Sequence, residues 1–197
     1  MTTIELGIVT IHLAALLQAL PGDDLQFVEK LVSAAIEQTR HSVRYDGSYR
    51  RIEYPGGDVP ADIGVCTDVV VRAFRAVDVD LQRLVHEDMR VAFSAYPKQW
   101  GLSRPDPNID HRRVPNLQTF LKRRGAFLAV SKDPGAYRSG DLVTWMLPGN
   151  LPHIGIVTSK QAPSGRPIIA HNIGRGPELE DVLFAFVVTG HYRYRGE

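Results

Sequence analysis

The chain has 197 residues, of which 44% are hydrophobic and 23% charged, proportions that are ordinary for a globular protein with a buried core. Its 23 basic and 22 acidic residues give a formal net charge of +1, so the overall charge gives no reason to expect a nucleic acid or an anionic membrane surface as partner. A single cysteine cannot form an internal disulfide, and the fold therefore depends on packing.

The N-terminal segment 1–22 is apolar, and its composition is similar to that of the core of a signal peptide. However, no Lys or Arg precedes Lys30, and Glu5 and His12 interrupt the apolar run, so the sequence contains no clear signal peptide. We interpret the segment as either the remnant of a leader or a helix. It is too short and too interrupted to span a bilayer, and no integral membrane segment is predicted.

Four amphipathic helices are predicted in the first two thirds of the chain, because apolar residues recur there at helical spacing. Candidate capping residues mark their starts, and these are Asp23 or Asp24, Asp62, Asp80 and Asn116. Between the first two helices, residues 45–60 are rich in Tyr, Gly and Pro, which predicts an ordered loop.

After Gly125 the pattern changes to short β-like runs separated by Gly and Pro. The runs are AFLAV, DLVTWML, HIGIVTS, PIIAHN, VLFAFVV and HYRYR. Helices followed by strands predict an α+β fold with an antiparallel sheet.

Cys66 lies in the first turn or two of the second predicted helix. The unpaired N–H groups of a helix start favour the thiolate, which makes a nucleophile at neutral pH. The same groups, especially the Cys66 N–H, can donate to the oxyanion of a tetrahedral intermediate. The alternative is that Cys66 is a small buried hydrophobic residue.

His153 opens the run HIGIVTS, and His171 closes the next run, PIIAHN. Because the start of one strand lies beside the end of its antiparallel neighbour, the two histidines are predicted to be adjacent. We interpret His153 as the general base and His171 as the residue that orients it, a role that Asn172 can take instead. The alternatives are a surface turn histidine at 153 and a structural histidine at 171.

Four motifs, GVCTDVVVRAF, SGDLVTW, HIGIVTS and IIAHN, follow in the order found in NlpC-like cysteine peptidases of the papain-fold group, which the chain resembles over roughly residues 45–195. More narrowly, YPGGDVP, GVCTDVVVRAFR, IDHRRVPNL and GHYRY are similar to the YijF-like bacterial family of unknown function. The wider resemblance implies a papain-like (NlpC-type) fold, with N-terminal helices and a helix-start cysteine packed on a C-terminal antiparallel sheet. It also implies nucleophile, base and orienting roles for Cys66, His153 and His171.

The resemblance further implies a single catalytic domain over residues 23–197, with an insertion at about 80–125 that the compact cell-wall enzymes lack. Enzymes of this type cut peptide amide bonds of peptidoglycan, so we expect a peptidoglycan peptide or another small amide as substrate. The resemblance suggests a periplasmic or cell-envelope location.

Arg112 and Arg113 lie in a proline-flanked loop, and their guanidinium groups suit carboxylates such as those of muropeptides. A substrate-binding role is one interpretation, and the other is a solvated charged loop or an internal ion pair between Asp110 and an arginine. From the earlier loop, Tyr54 and Asp58 are predicted to line the cleft, with the Tyr54 hydroxyl as a candidate oxyanion donor or an ordinary packing residue.

Asp68 is predicted to cap or pair and to stay out of the triad. The histidines show no metal-ligand spacing with each other or with Cys66, and neither a metal nor a cofactor is predicted.

The sequence thus predicts a cysteine amidohydrolase or peptidase that works through a Cys-His-His triad and a thioester. Two alternatives stay open: a catalytically dormant glycan- or peptide-binding module of the same fold, and an acyltransferase that uses another amide or a lipid. No nucleic-acid partner is expected, and the sequence leaves the oligomeric state undecided.

Overall fold

The computed structural model describes residues 22–196, and within them four α-helices occur where four were predicted. They are α1 (Gly22–Gln38), α2 (Cys66–Arg75), α3 (Leu81–Ala92) and α4 (Val114–Arg123). Apart from Gly22, with which α1 begins, the predicted N-terminal segment 1–22 lies outside the described residues. None of the described helices is long and apolar enough to cross a membrane.

Asp80 caps α3 as predicted, because its side chain accepts a hydrogen bond from the Arg83 N–H at 3.2 Å. The other three predicted starts were wrong. Helix α1 begins at Gly22 and therefore contains both Asp23 and Asp24. The N-cap of α2 is Val65 rather than Asp62, and Asn116 lies inside α4, where its side chain donates to the Asp110 carbonyl at 3.1 Å.

Eight strands are present in the described part of the chain. They are β1 (Arg44–Tyr45), β2 (Ile63–Gly64), β3 (Phe127–Leu128), β4 (Leu142–Leu147), β5 (Leu151–Gln161), β6 (Pro167–Asn172), β7 (Pro177–Glu180) and β8 (Val187–Tyr192). The first two form a small parallel pair, and the others form one antiparallel sheet in the order β3-β8-β4-β5-β6-β7. The α+β class is confirmed.

Two strand predictions differ from the structure. The predicted runs VLFAFVV and HYRYR form one strand, β8, which contains only the last two residues of the first run and the first two of the second. Leu183 of the first run is fully buried in the smaller core against the sheet. Strand β7, with the sequence PELE, was not predicted, since Pro and Glu are depleted in strands and only its place beside β6 makes it one.

The central sheet has a core on each face because side chains alternate along a strand. Ile154 and Ile156 of β5 pack among the helices in the main core, whereas Val157 faces a smaller core with Trp145 and Leu183. The segment predicted as an insertion is part of the main core, to which it contributes Val85, Met89, Leu117, Phe120 and Leu121.

Candidate active site

Cys66 is the first residue of α2, as the sequence predicted, and only 4% of its surface is exposed. The turn is held by Asp68, whose Oδ2 accepts the Val65 N–H at 2.6 Å. This bond satisfies one of the N–H groups that a helix start leaves unpaired. Asp68 therefore has the capping role predicted for it, and it fixes the backbone around the thiol.

The hydrogen bonds of the Cys66 thiol are made with backbone N–H groups, foremost that of Ile154 in β5 and then those of Thr67 and Cys66 itself. Ile154 directly follows His153 in the chain. The start of α2 therefore abuts the strand that carries the predicted base. Within residues 22–196, no hydrogen bond joins the thiol to the His153 imidazole.

Burial, with a smaller effect from the nearby Asp68 carboxylate, raises the pKa of the Cys66 thiol to about 12 against the opposing effect of the Ile154 N–H. The prediction that a helix start alone supplies a thiolate at neutral pH was wrong for this resting structure. The loss of hydration on burial destabilises the thiolate by more than the backbone N–H groups stabilise it.

His153 and His171 are buried neighbours, with Nε2 of the first 2.8 Å from Nδ1 of the second. This confirms the adjacency predicted from the ends of β5 and β6. The indole of Trp145 lies across from His153 on β4, with the ring centroids 5.8 Å apart. Because Nε2 of His153 is taken by His171, Nδ1 is the nitrogen left for another partner.

Burial, with a smaller effect from His171, lowers the pKa of His153 to about 3. The pKa of His171 is also lowered by burial, against the opposing charge of Glu180. Both rings are therefore neutral at pH 7, and each carries one N–H and one lone pair.

Glu180 was not identified from the sequence, since the strand that holds it was not predicted. Its Oε2 lies 2.9 Å from Nε2 of His171, and its Oε1 lies 3.3 Å from the exposed guanidinium of Arg175. Glu180 thus adds a carboxylate to the histidine pair from β7, the edge strand of the sheet.

Asn172, the alternative orienting residue, is fully buried but serves another group. Its Nδ2 donates to the Gly64 carbonyl at 3.4 Å, and its Oδ1 accepts the Gly174 N–H at 3.0 Å. It therefore braces the backbone that leads into Cys66, while the contact with His153 belongs to His171.

Tyr45 lies close to the thiol and was overlooked in the sequence. It pairs with Gly64 in the parallel bridge of β1 and β2, two residues before Cys66. Tyr45 is 43% exposed, and its partial burial raises the pKa of the hydroxyl to about 12, with Cys66 and Asp68 adding to the effect, so the hydroxyl stays a donor. A two-residue parallel pair has no sequence signature, so the sequence predicts Tyr54 in this role and gives no sign of Tyr45.

The ring of Tyr54 is 41% exposed and packs edge-on against His86 of α3, with 4.9 Å between the centroids. Asp58 forms ion pairs with Arg72 at 2.9 Å and Arg75 at 3.1 Å. Tyr54 therefore has a packing role, and Asp58 forms ion pairs with two arginines of α2.

The substrate-binding role predicted for Arg112 was wrong. Its side chain is 2% exposed and is held by Asp68, with Nε 2.8 Å from Oδ1 and Nη2 2.9 Å from Oδ2. The guanidinium also donates to the carbonyls of Asp46 and Ser48. A substrate carboxylate cannot reach donors that are already engaged inside the protein.

Arg113 follows the alternative interpretation, an internal ion pair. Its Nη1 lies 3.2 Å from Oδ1 of the buried Asp110, and its guanidinium carbon is 4.1 Å from the centroid of the Trp100 ring.

Two open cavities adjoin the loop before Cys66. One of about 900 Å³ is lined by residues 49–53 and 58–60, and one of about 610 Å³ is lined by Tyr49, Arg51 and residues 102–108. Tyr49 and Arg51 line both. Within residues 22–196, no group of three or more His, Cys, Asp or Glu side chains is placed to hold a metal ion.

A family model described as a domain of unknown function, DUF1287, matches residues 32–194. The chain is 51% identical over 164 residues to the uncharacterized protein YijF of Escherichia coli (strain K12), a match covering 83% of this chain and 80% of the relative. The solved structure of NlpC1 from Trichomonas vaginalis is similar over 85% of this chain, with 14% identity and a TM-score of 0.45. The match covers 44% of that structure's length.

Proposed function

The chain belongs to the DUF1287 family, a domain of unknown function, and we propose that this member is a cysteine amidohydrolase or peptidase with Cys66, His153 and His171 as its triad. The observation that carries the proposal is the hydrogen bond from the Ile154 N–H to the Cys66 thiol. It brings the helix-start cysteine to the strand position next to His153, whose Nε2 is already held by His171.

In the proposed reaction, Cys66 transfers its proton to Nδ1 of His153 as the sulfur attacks the amide carbonyl carbon. The tetrahedral intermediate collapses when His153 returns that proton to the amine nitrogen, which breaks the C–N bond and leaves a thioester. A water molecule, deprotonated by His153, then attacks the thioester carbonyl. The C–S bond breaks, the thiol regains its proton, and a carboxylic acid is released.

The Cys66 N–H and the Tyr45 hydroxyl are the proposed donors to the oxyanion. The Cys66 N–H belongs to the nucleophile itself, and Tyr45 reaches the site through its pairing with Gly64. A hydroxyl with a raised pKa keeps its proton throughout the neutral range, which an oxyanion donor requires.

Both reacting groups are neutral in the resting protein, because burial disfavours the thiolate and the imidazolium alike. Proton transfer is therefore coupled to substrate entry, when the carbonyl and its oxyanion donors stabilise the developing charge. This differs from a preformed thiolate–imidazolium pair and makes the resting thiol unreactive toward simple electrophiles.

As substrate we propose an acidic peptide such as a peptidoglycan stem peptide. The support is the loop that leads away from Tyr45, where exposed Arg51 lines both cavities and exposed Arg104 lines the second. Guanidinium groups pair bidentately with carboxylates, which stem peptides carry. The nearby carboxylate of Asp106 already has a partner, because its Oδ1 accepts a hydrogen bond from the Asn108 N–H at 2.9 Å. With such a substrate, the location that we propose is the periplasm or the cell envelope.

The test is to incubate the protein with purified peptidoglycan stem peptides and to follow new amine and carboxyl termini by mass spectrometry. We expect cleavage by the wild type and by the control variant Tyr54→Phe, and none by Cys66→Ser or His153→Gln. Turnover that survives in Cys66→Ser overturns the proposal.

A second candidate, a dormant peptide-binding module, is favoured by one observation. The thiol is nearly inaccessible and makes no hydrogen bond to an imidazole within the described residues. Calorimetry with the same peptides distinguishes the two functions. Binding by the wild type without any cleavage, unchanged in Cys66→Ser, assigns the binding role.

A further inference from the structure

The outer nitrogen of His171 has an unusual environment. Nε2 is buried, and no group in residues 22–196 lies in line to form a regular hydrogen bond with it. A carboxylate oxygen, Oε2 of Glu180, nevertheless lies beside it at 2.9 Å. Glu180 is 29% exposed and comes from β7, the strand next to the one that holds His171.

The position of this carboxylate determines where the protons of the histidine pair lie. A neutral imidazole has one N–H and one lone pair, and a lone pair on Nε2 of His171 would face the negative oxygen of Glu180. Nε2 therefore carries the hydrogen and Nδ1 carries the lone pair. Across the 2.8 Å contact, Nε2 of His153 must then be the donor, which leaves the lone pair of His153 on Nδ1.

We propose that Glu180 is a positioning residue that selects, through His171, the tautomer of His153 in which Nδ1 can accept the thiol proton. The inference deepens the proposed function and rests on it for its catalytic consequence. The tautomer itself is a property of the resting protein and requires no substrate.

The same contact has a consequence at acidic pH. If His171 gains a second proton, its Nδ1–H donates to Nε2 of His153, and the hydrogen of His153 must move to Nδ1, where it blocks the base. The groups that face His171 are Glu180 and Glu178, which favour the added proton, and Arg175 and His153, which do not. Burial outweighs the carboxylates, so the productive arrangement is the one present at pH 7.

The test compares Glu180→Gln with Glu178→Gln. The control removes the same charge from the same strand and from another carboxylate that contacts Arg175, but Glu178 does not contact Nε2 of His171 in the described structure. A glutamine at 180 can present either an oxygen or an N–H to Nε2 and so no longer selects a tautomer. Circular dichroism establishes that both variants are folded.

The first readout is ¹⁵N NMR of histidine-labelled protein without substrate. We expect a bare Nδ1 on His153 in the wild type and in Glu178→Gln, and a mixture of tautomers in Glu180→Gln. A wild type with a protonated Nδ1 on His153 at pH 7, or a Glu180→Gln spectrum identical to that of the wild type, overturns the inference.

The second readout is turnover of the stem peptides. Glu180→Gln should lower kcat by about tenfold or more with KM unchanged, the effect that loss of an outer hydrogen-bond partner has on metal-bound histidines. Glu178→Gln should keep the wild-type kcat. If no variant and no wild type cleaves the peptide but the NMR result holds, the proposed function fails while the tautomer selection by Glu180 stands.

Discussion

The thiol of Cys66 accepts a hydrogen bond from the backbone N–H of Ile154. Ile154 follows His153 in β5, and the paired residues of β5 and β6 begin two positions later, at Ile156 opposite Ala170. Cys66 is the first residue of α2. The contact therefore connects the helix that carries the nucleophile with the strand that carries the base.

The buried thiol should make the protein less stable in alkali. Its pKa is raised to about 12 in the folded state, against 9.0 for an ordinary cysteine, so the stability it contributes is present below pH 9 and is lost as the pH rises toward 12. Between pH 8 and pH 10 the wild type should lose about 1.4 kcal/mol more than Cys66→Ala. Urea unfolding of the wild type and of Cys66→Ala at pH 8 and pH 10 measures this difference in stability. Equal losses in the two proteins contradict a raised thiol pKa.

The buried His153 should make the protein less stable in acid. Its pKa is lowered to about 3, so between 6.5 and 3 the unfolded chain binds a proton that the folded one does not, and stability falls as the pH decreases through that window. Between pH 7.5 and 5 the wild type should lose about 2 kcal/mol more than His153→Asn. The control is His41→Asn: His41 has a side chain that is 64% exposed, and the variant should keep the wild-type loss. A His153→Asn loss as large as that of the wild type disproves the shift.

Removal of the Arg112 side chain should destabilise the fold rather than weaken substrate binding. Arg112→Ala leaves the carboxylate of Asp68 buried without its partner, and loss of one member of a buried pair costs about 3–5 kcal/mol. Arg83→Ala, which breaks an exposed contact with Glu87 on the surface of α3, should cost at most about 1 kcal/mol. Denaturant titration of both variants provides the comparison, and similar midpoints would show that the Asp68 pair contributes little.

The Tyr45 hydroxyl should matter for catalysis and the Tyr54 hydroxyl should not. Tyr45→Phe removes a proposed oxyanion donor beside Cys66 and should lower kcat roughly 100-fold, because one such donor is typically worth that much. Tyr54→Phe keeps the ring that packs on His86 and should leave kcat unchanged. Steady-state kinetics on stem peptides measures kcat for both variants and so tests which hydroxyl contributes to catalysis. The assignment is wrong if the effects are reversed.

Arg51 should bind the substrate without taking part in the reaction. It is exposed and lines both cavities next to the loop, so Arg51→Ala should raise KM about tenfold, because a hydrogen bond to a charged group is worth about 1.5 kcal/mol, and leave kcat unchanged. The matched variant is Arg40→Ala, another exposed arginine, which pairs with Glu37 on α1. A lowered kcat with an unchanged KM contradicts a binding role.

Much of the site follows from local patterns in the sequence. Apolar periodicity predicted α2 and α3, and the order of the β-like runs predicted that His153 and His171 meet, because adjacent antiparallel strands bring the start of one beside the end of the next. The placement of Cys66 at a helix start was likewise a local property. These features depend on residues close in the chain or on a simple hairpin relation.

The partners, burial and protonation of those residues depend on the tertiary structure. Arg112 binds Asp68 across 44 positions, a two-residue strand pair places Tyr45 beside Gly64 just before Cys66, and Glu180 reaches His171 from a strand without a β pattern. The protonation of Cys66 was decided there as well, because the desolvation of a side chain depends on every segment packed around it. The sequence alone determined which groups are present and roughly where they lie. Burial and long-range contacts, which no local pattern encodes, determined their charge, their partners and the proton arrangement of the site.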